Sequence, residues 1–431
     1  MAQQPTGHRP LTMPVFSLTK ALFPAKRGRH RQPFFSRHLL FFSLVCLLVT
    51  RPAGALSSDC SAPSVKLGMS TALTGSAAHL GVNARTGVTI ALNEYNDGRK
   101  VGETKFCLAT KDDAYEPALT QPNMLSLIEE DKVLAFIGNV GTPTALAAIP
   151  VVNRLQVPFI GAISGAGALR KNPPDRFVIN YRASYAEETS VMVEALIEKG
   201  GLQPEQIAFF TQRDAYGDAG FNGGITALKE YGLAHDNSVV HGRYERNTLA
   251  VENGLAELLL AEPPPKAVIM VAAYAPCARF IRLARKSGLN ALFLTVSFVG
   301  AVPLASDLGP VGENVIITQV VPHFDEDLPI SRDFRQALSR YAPASPPTFG
   351  ALEGYISTRM FLLAASSISG PLTRSSVINA LEHLGNFDLG LGVPLRLGPE
   401  EHQASHAVWP TIIRNGRVVV FNWEQLPNLL Q

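Results

Sequence analysis

Residues 137–150, IGNVGTPTALAAIP, carry the pattern that decides the fold of this chain. An apolar segment over residues 133–138 is followed by Thr142 and Pro143, and then by helical apolar spacing over residues 144–155. Thr is favoured at the N-cap of a helix and Pro at its first position, so this order favours a buried strand, a turn and a capped helix. The stretch therefore predicts one strand–turn–helix unit of an α/β fold.

The same pattern repeats on both sides of this junction. Further strands are predicted over residues 65–70, 105–110, 157–160, 206–211, 238–244, 267–272, 291–296 and 314–321. Further helices are predicted over residues 85–95, 117–130, 190–199, 218–231, 249–260, 276–286, 349–366 and 375–384. Because the strands are apolar throughout and alternate with helices, they indicate parallel sheets that are covered on both faces.

The order of these units predicts two lobes. The pattern restarts near residues 177–182, and two helices and a hairpin at Asn415-Gly416 follow the second α/β unit. This order makes sense if the chain crosses between two Rossmann-like lobes more than once, through a multi-crossover hinge. We expect lobe 1 to contain residues 62–180 and 319–390, and lobe 2 to contain residues 181–318 and 391–431. Facing lobes would put the carboxyl ends of both sheets, where ligands of open parallel sheets bind, around one space.

Residues 1–55 are predicted to be a secretory signal peptide. Basic residues precede an apolar run over residues 39–49, which is too short to span a bilayer comfortably, and Ala53-Gly54-Ala55 follows it. The part before the apolar run is long, so Met13 is a candidate for the true start. A retained membrane anchor is the alternative. A signal peptide predicts export to the periplasm.

Composition restricts the classes of function. The chain has 431 residues, with 46% hydrophobic and 17% charged residues, which is typical of a globular protein. Its net charge is +2, and much of the basic excess precedes Thr50, so no long basic surface remains for nucleic acid.

The four cysteines predict at most one disulfide in the exported chain. Cys46 lies in the predicted signal peptide, and Cys60 and Cys107 lie at two consecutive strands. Consecutive parallel strands are usually neighbours, so a Cys60–Cys107 disulfide is geometrically reasonable, with two buried thiols as the alternative. Cys277 has no partner in this scheme, and Cys-x-x-Cys does not occur.

No stretch carries a convincing catalytic or cofactor motif. Ser164 lies in GAISGAGA, which matches neither G-x-S-x-G nor G-x-G-x-x-G, and no His is placed by sequence to activate it. Asp112 and Asp113 point apart on a strand end, which favours capping and loop hydrogen bonds over shared acid–base work. His402 and His406 have a metal-ligand spacing, but nearby Gly and Pro argue against a helix there. We therefore expect a protein that is not an enzyme and has no cofactor.

Hydroxyl groups follow several of the predicted strands. Thr142 stands at a helix N-terminus, where free N–H groups attract an anion such as a carboxylate; a helix that is merely well capped is the alternative. Tyr216 and Tyr274 follow two strands of the second lobe and would suit a small amphipathic ligand, whereas a rim or core tyrosine is equally compatible with each alone.

Taken together, these motifs resemble the type I periplasmic solute-binding proteins, in the branch that includes leucine/isoleucine/valine-binding proteins. The resemblance covers about residues 65–423. It rests on the order and spacing of residues 71–81, 111–117, 137–150, 157–170, 214–217 and 349–355.

The resemblance implies a ligand site between the lobes. The residues it places there are Leu80, Thr142, Ser164, Gly165, Ala166, Tyr216, Tyr274 and Ser297. It implies that the ligand carboxylate sits near Thr142 and that Tyr216 and Tyr274 close from the second lobe. Amino-acid binders hold the ligand ammonium with a carboxylate where this chain has Ser297. A buried ammonium without a counter-charge is costly, which puts an α-amino acid in doubt against another carboxylate, an amide or an aromatic acid.

The resemblance implies a monomeric binding protein that delivers a small solute to an ABC permease in the inner membrane. A periplasmic ligand sensor of the same fold is the alternative within the family. A hydrolase or deaminase using Ser164 or Asp113 is the alternative of another class.

Overall fold

The computed structural model describes residue 60, residues 64–100 and residues 103–430. The predicted signal peptide, with Cys46 and Met13, lies outside the described residues. Within the described ranges, no helix has both the length and the apolar character that crossing a membrane requires.

Strands and helices alternate along most of the described chain, as the sequence predicts. The strands are β1 (Ser64–Thr71), β2 (Lys105–Asp112), β3 (Phe136–Ile137), β4 (Phe159–Ile160), β5 (Val178–Ile179), β6 (Ile207–Gln212), β7 (His241–Tyr244), β8 (Ala267–Val271), β9 (Leu292–Thr295), β10 (Ile316–Gln319), β11 (Gly385–Phe387), β12 (Leu395–Leu397), β13 (Trp409–Arg414) and β14 (Arg417–Val420). The helices are α1 (Ala78–Asp97), α2 (Pro117–Glu129), α3 (Thr142–Leu155), α4 (Tyr185–Glu194), α5 (Ala215–Glu230), α6 (Glu252–Leu259), α7 (Tyr274–Lys286), α8 (Ala301–Leu308), α9 (Pro329–Tyr341), α10 (Phe349–Ser366) and α11 (Arg374–Glu382).

The first lobe is built on a parallel sheet in the order β2-β1-β3-β4-β5. The late helix α10 packs along α1 on this lobe, as expected from the order of elements. Two glycines allow this close approach: a Cβ on Gly87 would lie 1.9 Å from the carbonyl oxygen of Ala351, and one on Gly354 would lie 2.5 Å from that of Ala84. The two helices therefore pack backbone against backbone.

The second lobe is built on a sheet in the order β14-β13-β10-β9-β8-β6-β7. Strands β6 to β10 are parallel, whereas β13 runs antiparallel to β10 and forms a hairpin with β14. The hairpin turns at Asn415 and Gly416, whose φ angles of 50° and 72° are those of the Asn-Gly turn predicted from the sequence. The α/β architecture with two parallel-dominated lobes is therefore confirmed.

Three chain segments cross between the lobes and lie side by side. The backbone N–H of Asn180 donates to the carbonyl of His402 (2.7 Å), and that of Ser405 donates to the carbonyl of Tyr181 (2.8 Å). The Tyr181 hydroxyl donates to the carbonyl of Val320 (3.1 Å). These bonds hold the crossings together as one hinge, while the residue boundaries given above for the two lobes stay a prediction.

A disulfide joins Cys60, which precedes β1, to Cys107 in β2. Strands β1 and β2 are parallel neighbours, which brings the two cysteines together. Cys277 is buried and carries a free thiol.

Candidate functional site

The loops at the carboxyl ends of the two sheets face each other across a cleft, and the lobes touch there. The Tyr115 hydroxyl, from the loop after β2, lies 3.3 Å from the side-chain amide nitrogen of Gln212 at the end of β6. The Tyr115 ring also lies 6.0 Å from the ring of Phe298, which follows β9. The structure therefore has the cleft in a closed arrangement.

Thr142 does not cap helix α3, so that prediction is wrong. Thr142 is the first helical residue, and Gly141 occupies the N-cap with φ 108° and no side-chain bond to the helix. A Cβ on Gly141 would lie 2.2 Å from the ring of Tyr115, so only glycine fits and the helix begins one residue early. The Thr142 hydroxyl lies 2.7 Å from the Ser164 hydroxyl, and both side chains are buried.

The loop after β4 is fixed by Arg170. One Nη of Arg170 donates to the carbonyls of Ser164 and Ala166, both at 3.1 Å, and the backbone N–H of Ala166 approaches the Ser164 Oγ at 3.3 Å. A Cβ on Gly165 would lie 2.6 Å from the backbone nitrogen of Tyr185, so lobe 2 closes directly on this loop. Burial, together with the charge of Arg182, lowers the pKa of Arg170 to about 10.

Tyr216 is central to an aromatic cluster made by lobe 2. It lies in the first turn of α5, which begins earlier than the sequence predicts. Its ring centroid is 4.8 Å from Phe298 and 5.2 Å from Tyr185, and its hydroxyl donates weakly to the carbonyl of Ala272 (3.4 Å). Burial raises the pKa of Tyr216 well above its ordinary value, so the phenol stays neutral.

Tyr185 places a further buried hydroxyl beside the Gly165 loop. A capping box at Ser184 and Glu187 begins α4 at Tyr185. The Tyr185 hydroxyl is directed toward Thr142 without reaching hydrogen-bonding geometry, and it has no partner within the described part of the chain. Burial raises its pKa to about 12. Sequence reasoning missed this residue, although its position just after the first crossing was a usable signal.

Tyr274 lies apart from this cluster. It is in the first turn of α7 and only partly buried, and its ring centroid lies 6.1 Å from that of His79 on α1, in an edge-to-face arrangement. It thus contacts lobe 1 at the edge of the cleft. Burial raises its pKa.

Ser297 donates hydrogen bonds to a buried carboxylate on α4, that of Glu188. Its backbone N–H and its hydroxyl donate to Glu188 at 2.7 and 2.9 Å. Thr318 on β10 donates to the same carboxylate (2.6 Å), and Arg182 donates to both Glu188 (2.7 Å) and the Ser297 hydroxyl. Glu188 therefore accepts hydrogen bonds from four donors, which leaves its carboxylate no free acceptor position for a ligand.

A second buried carboxylate, Glu353 on α10, lies on the other side of Arg182. Its Oε1 is 3.5 Å from Nη1 of Arg182. Burial is the main cause that raises the pKa of Glu353, and the charge of Glu188 adds to it, while Arg182 opposes. The sequence contains Glu353 within the stretch 349–355, but nothing in the pattern indicates that it faces the cleft.

Two spaces adjoin these groups. A hinge cavity of about 30 Å³ is lined by Leu80, Asn83, Arg182, Ser297, Gln319 and Glu353, among others. An open groove of about 880 Å³ is lined by Thr142, Gly165, Ala166, Arg170 and Glu187, among others. Five of the eight predicted site residues are therefore divided between the two spaces. Ser164 and Tyr216 are buried between neighbouring side chains, and Tyr274 lies at the edge of the cleft.

A set of exposed contacts closes the opposite edge of the cleft, and we call them the rim contacts. Arg246 of lobe 2 pairs with Glu116 of lobe 1 at 2.7 Å. Asn247 contacts Glu116 at 2.5 Å and Ser76 at 2.8 Å.

The candidate catalytic residues have structural roles. Asp112 accepts from the backbone of Leu73 and Ala114, and Asp113 accepts from Ser70 (2.8 Å) and the backbone of Tyr115 (3.0 Å), as expected for loop-holding carboxylates. Among the described residues, no histidine hydrogen bonds to Ser164. The same residues include no group of three or more His, Cys, Asp or Glu side chains placed to hold a metal.

Comparisons with known proteins agree with this geometry. A family model described as periplasmic binding protein matches residues 64–417. A search of curated protein sequences finds no match.

Three solved structures illustrate the similarity. A possible leucine/isoleucine/valine-binding protein from Rhodopirellula baltica SH 1 is 50% identical, covering 87% of this chain and 100% of its own, with a TM-score of 0.82. A branched-chain amino acid ABC transporter protein from Thermus thermophilus with bound valine is 20% identical, with coverages of 83% and 95% and a TM-score of 0.74. A fatty acid ABC transporter substrate-binding protein from Thermomonospora curvata is 22% identical, with coverages of 83% and 91% and a TM-score of 0.73. The latter two show the shared fold alone. The chain belongs to the periplasmic binding protein family, in the type I branch that includes leucine/isoleucine/valine-binding proteins.

Proposed function

We propose that this protein is the periplasmic solute-binding component of an ABC-type uptake system. It captures an amino acid or a related small carboxylate or amide between its lobes. The observation that carries the proposal is the pair of facing strand-end loops with buried, converging hydroxyls, found in a chain that is 50% identical to a possible leucine/isoleucine/valine-binding protein over that protein's whole length. Export across the inner membrane is part of the proposal.

The ligand carboxylate binds at Thr142. In the closed structure the Thr142 hydroxyl bonds Ser164, and the buried Tyr185 hydroxyl beside it has no partner within the described chain. An entering carboxylate takes both hydroxyls as donors, along with the free N–H groups at the start of α3. Tyr216 covers it from lobe 2, and Tyr274 closes the edge of the cleft against His79.

Closure of the cleft connects binding to delivery. The rim contacts form only when the lobes meet, so the closed protein presents a continuous surface across both lobes. A permease that recognises this surface receives the loaded form. The ligand leaves chemically unchanged, because the Ser164 hydroxyl has no base beside it among the described residues.

A thermal-shift screen of the chain from Cys60 onward tests the proposal. Amino acids, aromatic acids, dicarboxylates and amides are each added at millimolar concentration. A solute present at 100 times its Kd stabilises the folded state by about 2.7 kcal/mol, which is measurable as a higher Tm. We expect at least one carboxylate to raise the Tm and to be recovered intact by mass spectrometry.

Thr142→Ala then tests the anchor. A hydrogen bond to a charged group contributes about 1.5–3 kcal/mol, so the Kd for that carboxylate should rise about 10-fold or more by isothermal titration calorimetry. Thr104→Ala, which changes an exposed threonine before β2, is the matched control and should leave the Kd unchanged. An unchanged Kd in Thr142→Ala would show that the anchor is misassigned.

A further inference from the structure

The loop between β2 and α2 has an unusual backbone conformation. Ala114 and Tyr115 are consecutive non-glycine residues with φ angles of 48° and 62°, in the left-handed region. Few non-glycine residues adopt such angles, and those that do are concentrated at functional sites, where the surrounding structure compensates the strain. A plain connection from a strand to a helix does not require this conformation.

Two carboxylates hold this loop to the sheet of lobe 1. Asp112 accepts from the backbone N–H of Ala114 at 2.9 Å. Asp113, which is fully buried, accepts from the backbone N–H of Tyr115 (3.0 Å) and from the hydroxyl of Ser70 on β1 (2.8 Å). The backbone of Tyr115 is therefore fixed to β1 and β2 and moves with lobe 1.

The side chain of Tyr115 joins lobe 1 to lobe 2. On lobe 1 its ring lies against Gly141, where a Cβ would be 2.2 Å from it. On the side of lobe 2, its hydroxyl accepts from the side-chain amide of Gln212 (3.3 Å), and its ring centroid lies 6.0 Å from that of Phe298. Tyr115, Gln212 and Phe298 are 1%, 1% and 2% exposed, so these contacts are shielded from water.

Gln212 is fixed within lobe 2 independently of Tyr115. Its amide nitrogen donates to Asp214 (2.7 Å), and its amide oxygen accepts from the hydroxyl of Tyr244 (2.9 Å). The backbone N–H of Ala273 donates to the same Tyr244 hydroxyl (3.1 Å). The Tyr115 hydroxyl therefore meets an amide whose orientation is already set, so little side-chain entropy is lost when the contact forms.

Parting of the lobes would break the contacts of Tyr115 on the side of lobe 2 alone. Because the anchored loop keeps its ring in place, opening would expose this ring and that of Phe298 to water and break a buried hydrogen bond. The rim contacts are exposed, so water and salt reduce their strength. The contacts of Tyr115 therefore favour the closed arrangement through the protein's own side chains.

We propose that Tyr115 stabilises closure of the cleft independently of the solute, so that a fraction of the solute-free protein is closed. This goes beyond the proposed function, in which closure accompanies capture. If that function holds, the solute-free closed form presents the same surface across both lobes and competes with the loaded form for the permease. Solute then enters through the open fraction alone.

Distances between two spin labels test this in the chain from Cys60 onward, freed of any bound solute by unfolding in urea, dialysis and refolding with the disulfide intact. Ala118→Cys on α2 and Glu257→Cys on α6 put one exposed label on each lobe. Cys277 is buried, and Cys60 and Cys107 are bonded to each other, so the introduced thiols take the labels. Double electron–electron resonance should show a short and a long distance, for the closed and the open form.

Tyr115→Phe isolates the hydroxyl in the labelled protein. It keeps the ring and removes the bond to Gln212, and the ratio of closed to open protein should fall about 2- to 10-fold, as expected for one hydrogen bond. Tyr355→Phe is the matched control, because the Tyr355 hydroxyl bonds Glu94 (2.6 Å) within lobe 1, and it should leave the ratio unchanged. In a Gln212→Met background, Tyr115→Phe should have no further effect, because the partner of the hydroxyl is gone.

The outcomes separate this inference from the proposed function. A solute-free protein that shows the long distance alone contradicts the role of Tyr115, and so does a ratio that Tyr115→Phe leaves unchanged. An equal fall in Tyr355→Phe also contradicts it, since a general loss of stability would then explain the change. If no solute of the thermal-shift screen binds, the proposed function fails, while the label distances still decide the role of Tyr115.

Discussion

The hinge end and the rim of the cleft both contain ion pairs, but in opposite surroundings. At the hinge end, the Arg182 and Glu188 side chains are 1% and 0% exposed. At the rim, the Arg246 and Glu116 side chains are 26% and 39% exposed. Water and salt screen the rim pair, while nothing screens the hinge pair.

This difference assigns the two ends different tasks. An exposed ion pair contributes about 0–1 kcal/mol, so the rim contacts can break and form again at little cost. Loss of one member of a buried pair costs about 3–5 kcal/mol, because the other charge is left uncompensated. The lobes can therefore part at the rim while the network around Arg182 holds the crossings in place.

The largest expected effect comes from Glu188→Gln. This change removes a carboxylate that receives four donors and leaves Glu353, at 3.5 Å, as the carboxylate paired with Arg182 among the described residues. We expect the free energy of unfolding to fall by about 3–5 kcal/mol, measured by urea denaturation without ligand. Glu353→Gln is the variant to compare with it. This change should lower the free energy of unfolding by less than about 1 kcal/mol, because the charge of Glu353 is poorly compensated in the folded protein. Equal losses in the two variants would refute the distinction drawn between these carboxylates.

A smaller effect is expected from Arg246→Ala at the rim. It removes the pair with Glu116 and should lower the free energy of unfolding by less than about 1 kcal/mol. Because this pair joins the lobes, the variant should show a larger radius of gyration without ligand by small-angle X-ray scattering. Arg213→Ala, which breaks an exposed pair with Glu245 within lobe 2, is the control and should not alter the radius. A radius unchanged in both variants would mean that the rim pair does not hold the lobes closed.

The smallest effect is expected from the pH dependence of the pair between His406 and Glu187 (2.5 Å), beside the crossings. The bond to Glu187 raises the pKa of His406 above 6.5, so its contribution is complete below that pH and is lost as pH rises through the raised value. Burial favours a higher pKa for Glu187, but the hydrogen bonds from His406 and Ser184 outweigh it and lower this pKa from 4.5 to about 2. The contribution of Glu187 to stability is therefore complete above pH 4.5 and is lost as the pH falls toward 2. The stability lost in His406→Gln should therefore be largest between pH 4.5 and 6.5, at about 1 kcal/mol or less. A difference that is constant from pH 5 to pH 9 would contradict this pairing.

The sequence predicts the features that depend on local pattern. Apolar runs and helical spacing predict the alternation of strands and helices, and Asn415-Gly416 predicts the final hairpin because this pair adopts positive φ readily. Thr373, a residue type favoured at helix N-caps, caps α11 and accepts from the backbone of Ser376 at 3.1 Å. Helix α9 was missed, although Ile330, Phe334 and Leu338 have the spacing of a buried helical face.

The candidate site depends on contacts that no local pattern contains. Thr142 fails as an N-cap because Tyr115, 27 positions earlier, leaves room only for a glycine with positive φ before it. Arg182 and Glu353 are 171 positions apart and meet only because α10 returns to lobe 1 beside the first crossing. Such pairings are set by the packing of whole helices and strands. The sequence alone could therefore predict which loops form the site, but not which charged side chains meet there.

The close packing of α1 against α10 has a consequence for how the polypeptide can be made. Helix α1 is synthesised early. Gly87 on this helix packs against α10, residues 349–366, which is synthesised much later. The first lobe therefore stays unfinished until most of the chain has been synthesised, and a fragment cut before Phe349 would expose the apolar face of α1. The first lobe cannot therefore be expected to fold as an excised N-terminal fragment.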